Sequence, residues 1–363
     1  MKQIRNTNVF TKTIVALFLV SAMIIPSTAT FVSAENSDEP LNAVYVSKSG
    51  SDSGSGTLES PLATIAGARD FIRNNRSSLE GGVTVYIEEG DYYQDETLTF
   101  TEEDSGSEDF PIVYKAYNNG SVSIDGGTTL KTENFQKPAD DDPYASRIKD
   151  SAARENVIMY DLKADGIDYE RDSFALSYGG VRGTLARYPN EQFILGFNYS
   201  DSETGTTSDY DSSTHTFYDK EQVVKTWQSV EGVQIKGNFG IDWSSSPATD
   251  LVSYDASTNR VKVGNVSING ISGRYYYSNV IEEIDMVGEY YIDEETETLY
   301  FYAPADYMDI VISIANCKDA VVKAEVNNYT FDGLIIEGGY DDNISITGND
   351  NCIQNSTIRC CGD

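Results

Sequence analysis

Carboxylates dominate the chemistry this sequence can offer. Its 363 residues hold 58 Asp and Glu against 26 Lys and Arg, a formal net charge of −32, and one histidine. That count excludes a histidine-rich zinc site. The histidine, His215, lies in a Ser/Thr/Asp-rich stretch, 198–220, with no element to orient it. No Ser-His-Asp triad is therefore expected, and His215 reads as an exposed loop residue. Paired carboxylates remain, and they suit glycoside hydrolysis, in which one serves as acid and the other as nucleophile or base. Equivalent positions on stacked parallel strands lie about 4.8 Å apart, so carboxylates on adjacent coils, or one coil apart, would meet either the about 5–5.5 Å of a retaining pair or the about 6.5–9.5 Å of an inverting one. The candidates are Asp332, Glu337, Asp341, Asp342, Asp350 and Asp363. Asp332 precedes Gly333 and reads as a turn residue. Asp341 and Asp342 follow Gly338-Gly339-Tyr340 as an acidic loop leaving a strand, and they are the leading catalytic candidates. Calcium ligation and plain solvation are their alternative roles; no other metal site is read from the sequence.

Other residue types add binding functions. Arg182 and Arg187, in YGGVRGTLARYPN, stand five apart near Tyr178 and Tyr188 and are candidates for lining a sugar cleft, with a structural ion pair as the alternative. Trp243, in NFGIDWSSS, is a candidate for stacking on a sugar ring; core packing is its alternative. Arg359 is a possible lyase base, against a plain strand-surface role. Cys317, Cys352, Cys360 and Cys361 match no metal spacing and read as buried or half-buried thiols.

Short strands must position these groups. Residues 328–363 repeat on themselves with an offset of 22: Phe331 falls on Ile353, Gly333 on Asn355, Ile336 on Ile358 and Gly338 on Cys360. A fixed period of this length, made of short β-runs bounded by Gly, Asn and Asp, predicts a solenoid whose coils bury their apolar faces only by stacking. The early chain has the same texture. Val83–Ile87 alternates, and Leu98–Phe100, Ile112–Ala116 and Val122–Ile124 follow, the last closed by Asp125-Gly126-Gly127. An amphipathic helix from Pro61 to Asn74, with Leu62, Ile65 and Ile72 on one face, is expected to cap the stack. From 128 to 315 the runs lengthen and lose their period. That stretch reads as an inserted β-rich domain of sandwich or barrel type, with a hairpin whose arms are Tyr290–Ile292 and Leu299–Tyr302. The expected organisation is all-β: a leader at 1–34, cap and first coils at 35–127, the insertion at 128–315 and resumed coils at 316–363.

The leader reads as a secretory signal. Lys2, Arg5 and Lys12 precede an apolar run from Thr13 to Ile25, and Val32-Ser33-Ala34 supplies a cleavage site. Cleavage leaves 23 basic residues against 58 acidic ones, a net charge of −35. Such a surface disfavours nucleic acid and anionic membranes as partners, and points to a neutral glycan before a polyanionic one.

The stretches YVSKSGSDSGSGTLESPLATIAGARDFI, GGVTVYIEEGDYY and EDSGSEDFPIVYKAYNNGSVSIDGG resemble the entry to right-handed parallel β-helix proteins of the pectate-lyase-like superfamily. LARYPN and GRYYYSNVIEEIDMVGEYYIDEETETLYFYAP resemble an insertion in a subset similar to the family-120 β-xylosidases and family-110 α-galactosidases. The resemblance implies a right-handed parallel β-helix and a secreted glycoside hydrolase acting on a plant or host carbohydrate. Its catalytic carboxylates are implied on coils after the insertion, most of them beyond a truncated C-terminus. A polysaccharide lyase using calcium, and a non-catalytic glycan-binding or cell-surface protein, are the alternatives.

Overall fold

The structure is a computed structural model that describes residues 42–195, 211, 213–238, 248–264, 274–315, 317 and 319–360. The leader, Trp243, Cys361 and Asp363 lie outside the described residues.

Three sheets of parallel strands form one part of the protein. The first holds Ala43–Val46, Val83–Ile87, Ile112–Ala116, Tyr329–Asp332 and Cys352–Gln354. The second holds Gly90–Tyr93, Val122–Asp125, Leu334–Glu337 and Thr357–Arg359. The third holds Leu98–Phe100, Val322–Glu325 and Ile344–Thr347. The chain visits them in turn and then returns to the first. Phe331 pairs with Ile353 and Ile336 with Ile358, so the 22-residue offset of the sequence is the register of the sheets. The corners share one backbone conformation. Asn328, Gly333 and Gly338 have φ of 53°, 73° and 78°, and their partners one coil on, Asp350, Asn355 and Cys360, have 57°, 52° and 57°. Glycine adopts this left-handed region freely, and Asn and Asp tolerate it better than most side chains.

Alternation decides which side chains enter the stack. Phe100, Tyr114, Tyr329 and Phe331 meet inside it, with ring centroids 5.3–6.1 Å apart. Burying each such ring contributes roughly 1.5–3 kcal/mol. The capping helix spans Ile65–Asn75 and begins later than the expected Pro61. Leu62 is held in a bridge to Val46, and Thr64 is the N-cap, its side chain accepting from Gly67 N. Ile65, Ala68 and Ile72 join the core of the stack. Arg73 fastens the outer side of the helix to buried Asp104, Nε to Oδ1 at 2.5 Å and Nη2 to Oδ2 at 2.6 Å.

Between neighbouring strands of the stack the chain makes a long excursion. It leaves through Gly127–Thr129 and returns through Ile312–Ala315, and these two strands pair antiparallel. Leu176–Tyr178 and Val181–Arg182 complete their sheet. A second sheet orders Thr184–Leu185, Glu289–Asp293, Thr298–Tyr302 and Val157–Asp161, and includes the expected hairpin. A third has seven strands and runs from Arg187–Tyr188 through Arg274–Ser278, Gln234–Asn238, Thr249–Asp255 and Arg260–Val263 to Thr216–Tyr218, with Ile194–Leu195 also paired to Arg274–Ser278. The barrel expectation is corrected here: among the described residues, the two outermost strands of this sheet are not paired with each other, so it stays open. Buried Glu282 and Glu283 tie this region together. Glu282 pairs with Arg147 at 3.0 Å; Glu283 accepts from Lys149 Nζ at 2.5 Å and Trp227 Nε1 at 2.6 Å.

His215 is half-buried rather than exposed, at the start of the Thr216–Tyr218 strand, where its carbonyl accepts from Val263 N. Cys317 is buried and Cys360 half-buried, but Cys352 is exposed, on the outermost coil described, where no further strand covers it. Among the described residues no helix is long and apolar enough to cross a membrane.

Candidate functional site

The outer face of the second sheet carries a ladder of polar groups. On Val122–Asp125, Val122 and Ile124 enter the core, so Ser123 and Asp125 face outward. On Leu334–Glu337, Leu334 and Ile336 enter the core, leaving Glu337 outward. The parallel register places Asp125 beside Tyr93 on one side and Glu337 on the other, and Glu337 beside Arg359. Adjacent rungs are about 4.8 Å apart. Against this ladder fold Ser177, Gly179, Gly180, Ile310, Val311 and Ser313, enclosing with Asp91 a recess of about 180 Å³.

The two central carboxylates have unlike surroundings. Asp125 is 6% exposed and accepts from Gly127 N at 2.8 Å. Burial pushes its pKa up to about 6, reinforced by the charges of Glu337 and Asp91 and opposed by the Gly127 N–H and by Arg359. Glu337 forms an ion pair with Arg359, accepting from Nε at 2.7 Å and Nη2 at 3.2 Å, and accepts from Ser123 Oγ at 2.7 Å. One group is poised to hold a proton near neutrality, and the other is fixed beside a permanent cation. Close packing depends on two glycines. A Cβ on Gly338 would lie 2.1 Å from Asp125 Oδ1, and one on Gly180 would lie 2.5 Å from the Arg359 guanidinium.

Arg182 and Arg187 both line a second cavity, of about 260 Å³, together with Arg171, Lys236, Gln234, Tyr276, Tyr290 and Tyr340. It adjoins the recess. Gly180 lines the recess and Arg182 the cavity, two residues on; Glu337 lines the recess and Tyr340 the cavity, three residues on. The Arg187 guanidinium lies 3.8 Å over the Tyr276 ring and donates to the Pro189 and Gln192 carbonyls at 2.9 and 2.7 Å. Arg171 meets Asp250 at 2.6 Å and Glu294 at 3.3 Å. Nη1 of Arg182 is buried with no hydrogen-bond partner among the described residues.

Asp341 and Asp342 line neither space. Both are exposed on the turn between Leu334–Glu337 and Ile344–Thr347. Asp332 pairs with Lys115 at 2.9 Å and accepts from Asn355 Nδ2 at 2.7 Å, a structural role. Asp350 is a corner residue with φ of 57°. Arg359 is committed to Glu337, whose hydrogen bonds push its pKa higher still, which does not suit a proton-abstracting base. Among the described residues no group of three or more His, Cys, Asp or Glu is gathered for a metal ion. In the recess, Arg359 answers the charge of Glu337. Asp125 does not stand out in the sequence, because Gly126-Gly127 follows it and it reads as a turn. The strand alternation from Val122 is the signal that points it outward.

No family model matches the chain. Over 90 residues it is 34% identical to the uncharacterized protein YwoF of Bacillus subtilis, and over 83 residues 36% identical to pectate lyase PEL9 of Emericella nidulans. These stretches are 25% and 23% of this chain, and the chain spans only 17% and 18% of those relatives. A solved structure described as a glycoside hydrolase superposes with a TM-score of 0.62 at 16% identity, covering 82% of this chain and 51% of that one. The overall fold is thus shared with that structure.

Proposed function

We propose that the chain belongs to a secreted, carbohydrate-active hydrolase built on a right-handed parallel β-helix, with Asp125 and Glu337 as its reacting carboxylates. One observation carries the reading: a buried carboxyl with pKa about 6 stands one rung from a carboxylate held by an arginine, in a recess open to ligand. The solved glycoside hydrolase of similar fold and the short pectate lyase match favour carbohydrate as partner. Residues 1–34 act as the export signal, cleaved near Ala34, and 128–315 is the inserted domain whose base walls the recess.

Asp125, protonated, donates to the glycosidic oxygen as the bond to the anomeric carbon breaks. Glu337 attacks that carbon and forms a glycosyl ester. Asp125, now ionised, takes a proton from water, which displaces Glu337. One-rung spacing matches the short separation of a retaining pair, so the product keeps its anomeric configuration. A screen of aryl glycosides and oligosaccharides, followed by reducing ends and by NMR of the first-formed anomer, tests this. Asp125→Asn and Glu337→Gln are each expected to lower kcat/KM by roughly 10²–10⁴-fold. Unsaturated products would instead identify a lyase. Binding without turnover would identify a glycan-binding protein, and full activity in both variants would remove these two residues from the chemistry.

A further inference from the structure

The net charge of −32 favours a neutral glycan, yet the cavity beside the recess has the opposite local charge. Arg171, Arg182, Arg187 and Lys236 line it, and among the described residues no Asp or Glu does. Arg171 is matched at the rim by Asp250 and Glu294, and Arg187 is anchored by carbonyls and the face of Tyr276. Arg182 differs. It makes no hydrogen bond or ion pair among the described residues, and its Nη1 is buried. Arg182 as a whole is half-buried, but a buried guanidinium nitrogen without a partner is costly, and that cost falls when an acceptor enters. The Lys236 amine responds to the same field: burial, then the charge of Arg182, pushes its pKa down. Arg182 and Lys236 line one space, and an anion there would answer the unpartnered Nη1 of Arg182. Tyr276, Tyr290 and Tyr340 line the same space, and about 260 Å³ lies just below the usual range of small-ligand pockets, room for one sugar ring.

We propose that this cavity is a subsite for an anionic sugar residue, with Arg182 holding its carboxylate or sulfate next to the bond presented to Asp125 and Glu337. The placement rests on the hydrolase reading, whereas the binding does not. The guanidinium fork suits a two-oxygen carboxylate, and a sulfate ester offers comparable oxygens.

The test uses binding by the Asp125→Asn protein, so that turnover plays no part. Calorimetry with a uronic-acid trisaccharide, a sulfated trisaccharide and a neutral trisaccharide of equal length compares this background with one that also carries Arg182→Met. The expected result is that an acidic trisaccharide binds, weakens as salt is raised, and loses roughly tenfold to hundredfold affinity with Arg182→Met, while any neutral binding is unchanged. The uronate and sulfate arms decide which anion is taken. Equal affinity of acidic sugar with and without Arg182, or a preference for the neutral sugar, overturns the proposal. Should Arg182→Met fail to fold, melting of the Arg182-containing protein decides: a concentration-dependent rise with acidic sugar alone supports the subsite, and its absence refutes it. Arg182-dependent binding in a protein that shows no glycosidase activity would keep the subsite and reject the hydrolase reading.

Discussion

Asp125→Asn separates the cost of ionising this side chain from the cost of losing its shape. Asn preserves the volume and the oxygen that accepts from Gly127 N at 2.8 Å, but it cannot ionise. In the folded protein the carboxyl is 6% exposed, and burial beside Glu337 and Asp91 raises its pKa from 3.8 to about 6. The folded state therefore binds this proton more tightly than the unfolded chain. The stability that goes with the proton is present at low pH and is lost as pH rises between about 4 and about 6. A separation of about two pH units, at about 1.36 kcal/mol each, means that the ionised side chain costs the fold about 3 kcal/mol at pH 8. At pH 4.5, where the folded carboxyl is mostly protonated, the cost is about 1 kcal/mol. The variant escapes both. With an unfolding entropy of about 2.1 cal/mol/K per residue over roughly 320 residues, it should melt about 4 °C above wild type at pH 8 and about 1–2 °C above it at pH 4.5. Scanning calorimetry of both proteins at both pH values measures this, and other titrating groups cancel at each pH. A variant that melts no higher than wild type at pH 8, or that gains equally at both pH values, would refute the view of Asp125 as a desolvated proton holder. A gain in stability together with loss of turnover is the signature of a residue kept for chemistry at the expense of the fold.

Three further outcomes follow from the same geometry. Asp125 must carry its proton to act as acid, so kcat/KM should fall as pH rises above about 6, approaching tenfold per pH unit, in a pH–rate profile. Gly338→Ala would set a Cβ 2.1 Å from Asp125 Oδ1 at φ +78° and should abolish turnover; Gly166→Ala, at φ +73° with open space around it, should cost only backbone strain of about 1–2 kcal/mol and leave turnover intact. Arg147→Ala leaves Glu282, whose side chain is 2% exposed, without its cation, and should destabilise the protein by about 3–5 kcal/mol in denaturant titration.

What the sequence makes legible is what repeats locally. The aromatic and aliphatic positions Phe331, Ile336, Ile353 and Ile358 lie on one period, and the corners between them are Gly, Asn or Asp because the backbone there is left-handed. Cys360 occupies such a corner at φ 57° with a side chain that gains nothing from it, and residue type alone does not announce that position as a corner. The arginines Arg182 and Arg187 stand out in the sequence by their spacing near tyrosines, and both face the same cavity. The acidic site is different in kind. Glu337 is visible as one carboxylate among many, and Asp125 hides as a turn residue before two glycines. Nothing local joins them, because their pairing depends on the strands Val122–Asp125 and Leu334–Glu337 lying side by side across a long excursion.

That excursion explains why the site is where it is. The free energy of closing a loop grows only with the logarithm of its length, so a long insertion burdens the stack little more than a short one, provided its ends meet. Gly127–Thr129 and Ile312–Ala315 make them meet by pairing with each other just beyond the end of Val122–Asp125. The next strand of that antiparallel sheet, Leu176–Tyr178, and the turn after it bring Ser177, Gly179 and Gly180 over Asp125, Glu337 and Arg359. A turn that close to Arg359 admits no side chain, hence Gly180; a corner that close to Asp125 admits none either, hence Gly338. The recess and the burial that raises the Asp125 pKa thus have one cause: the insertion is rooted beside the rung that carries the carboxylates.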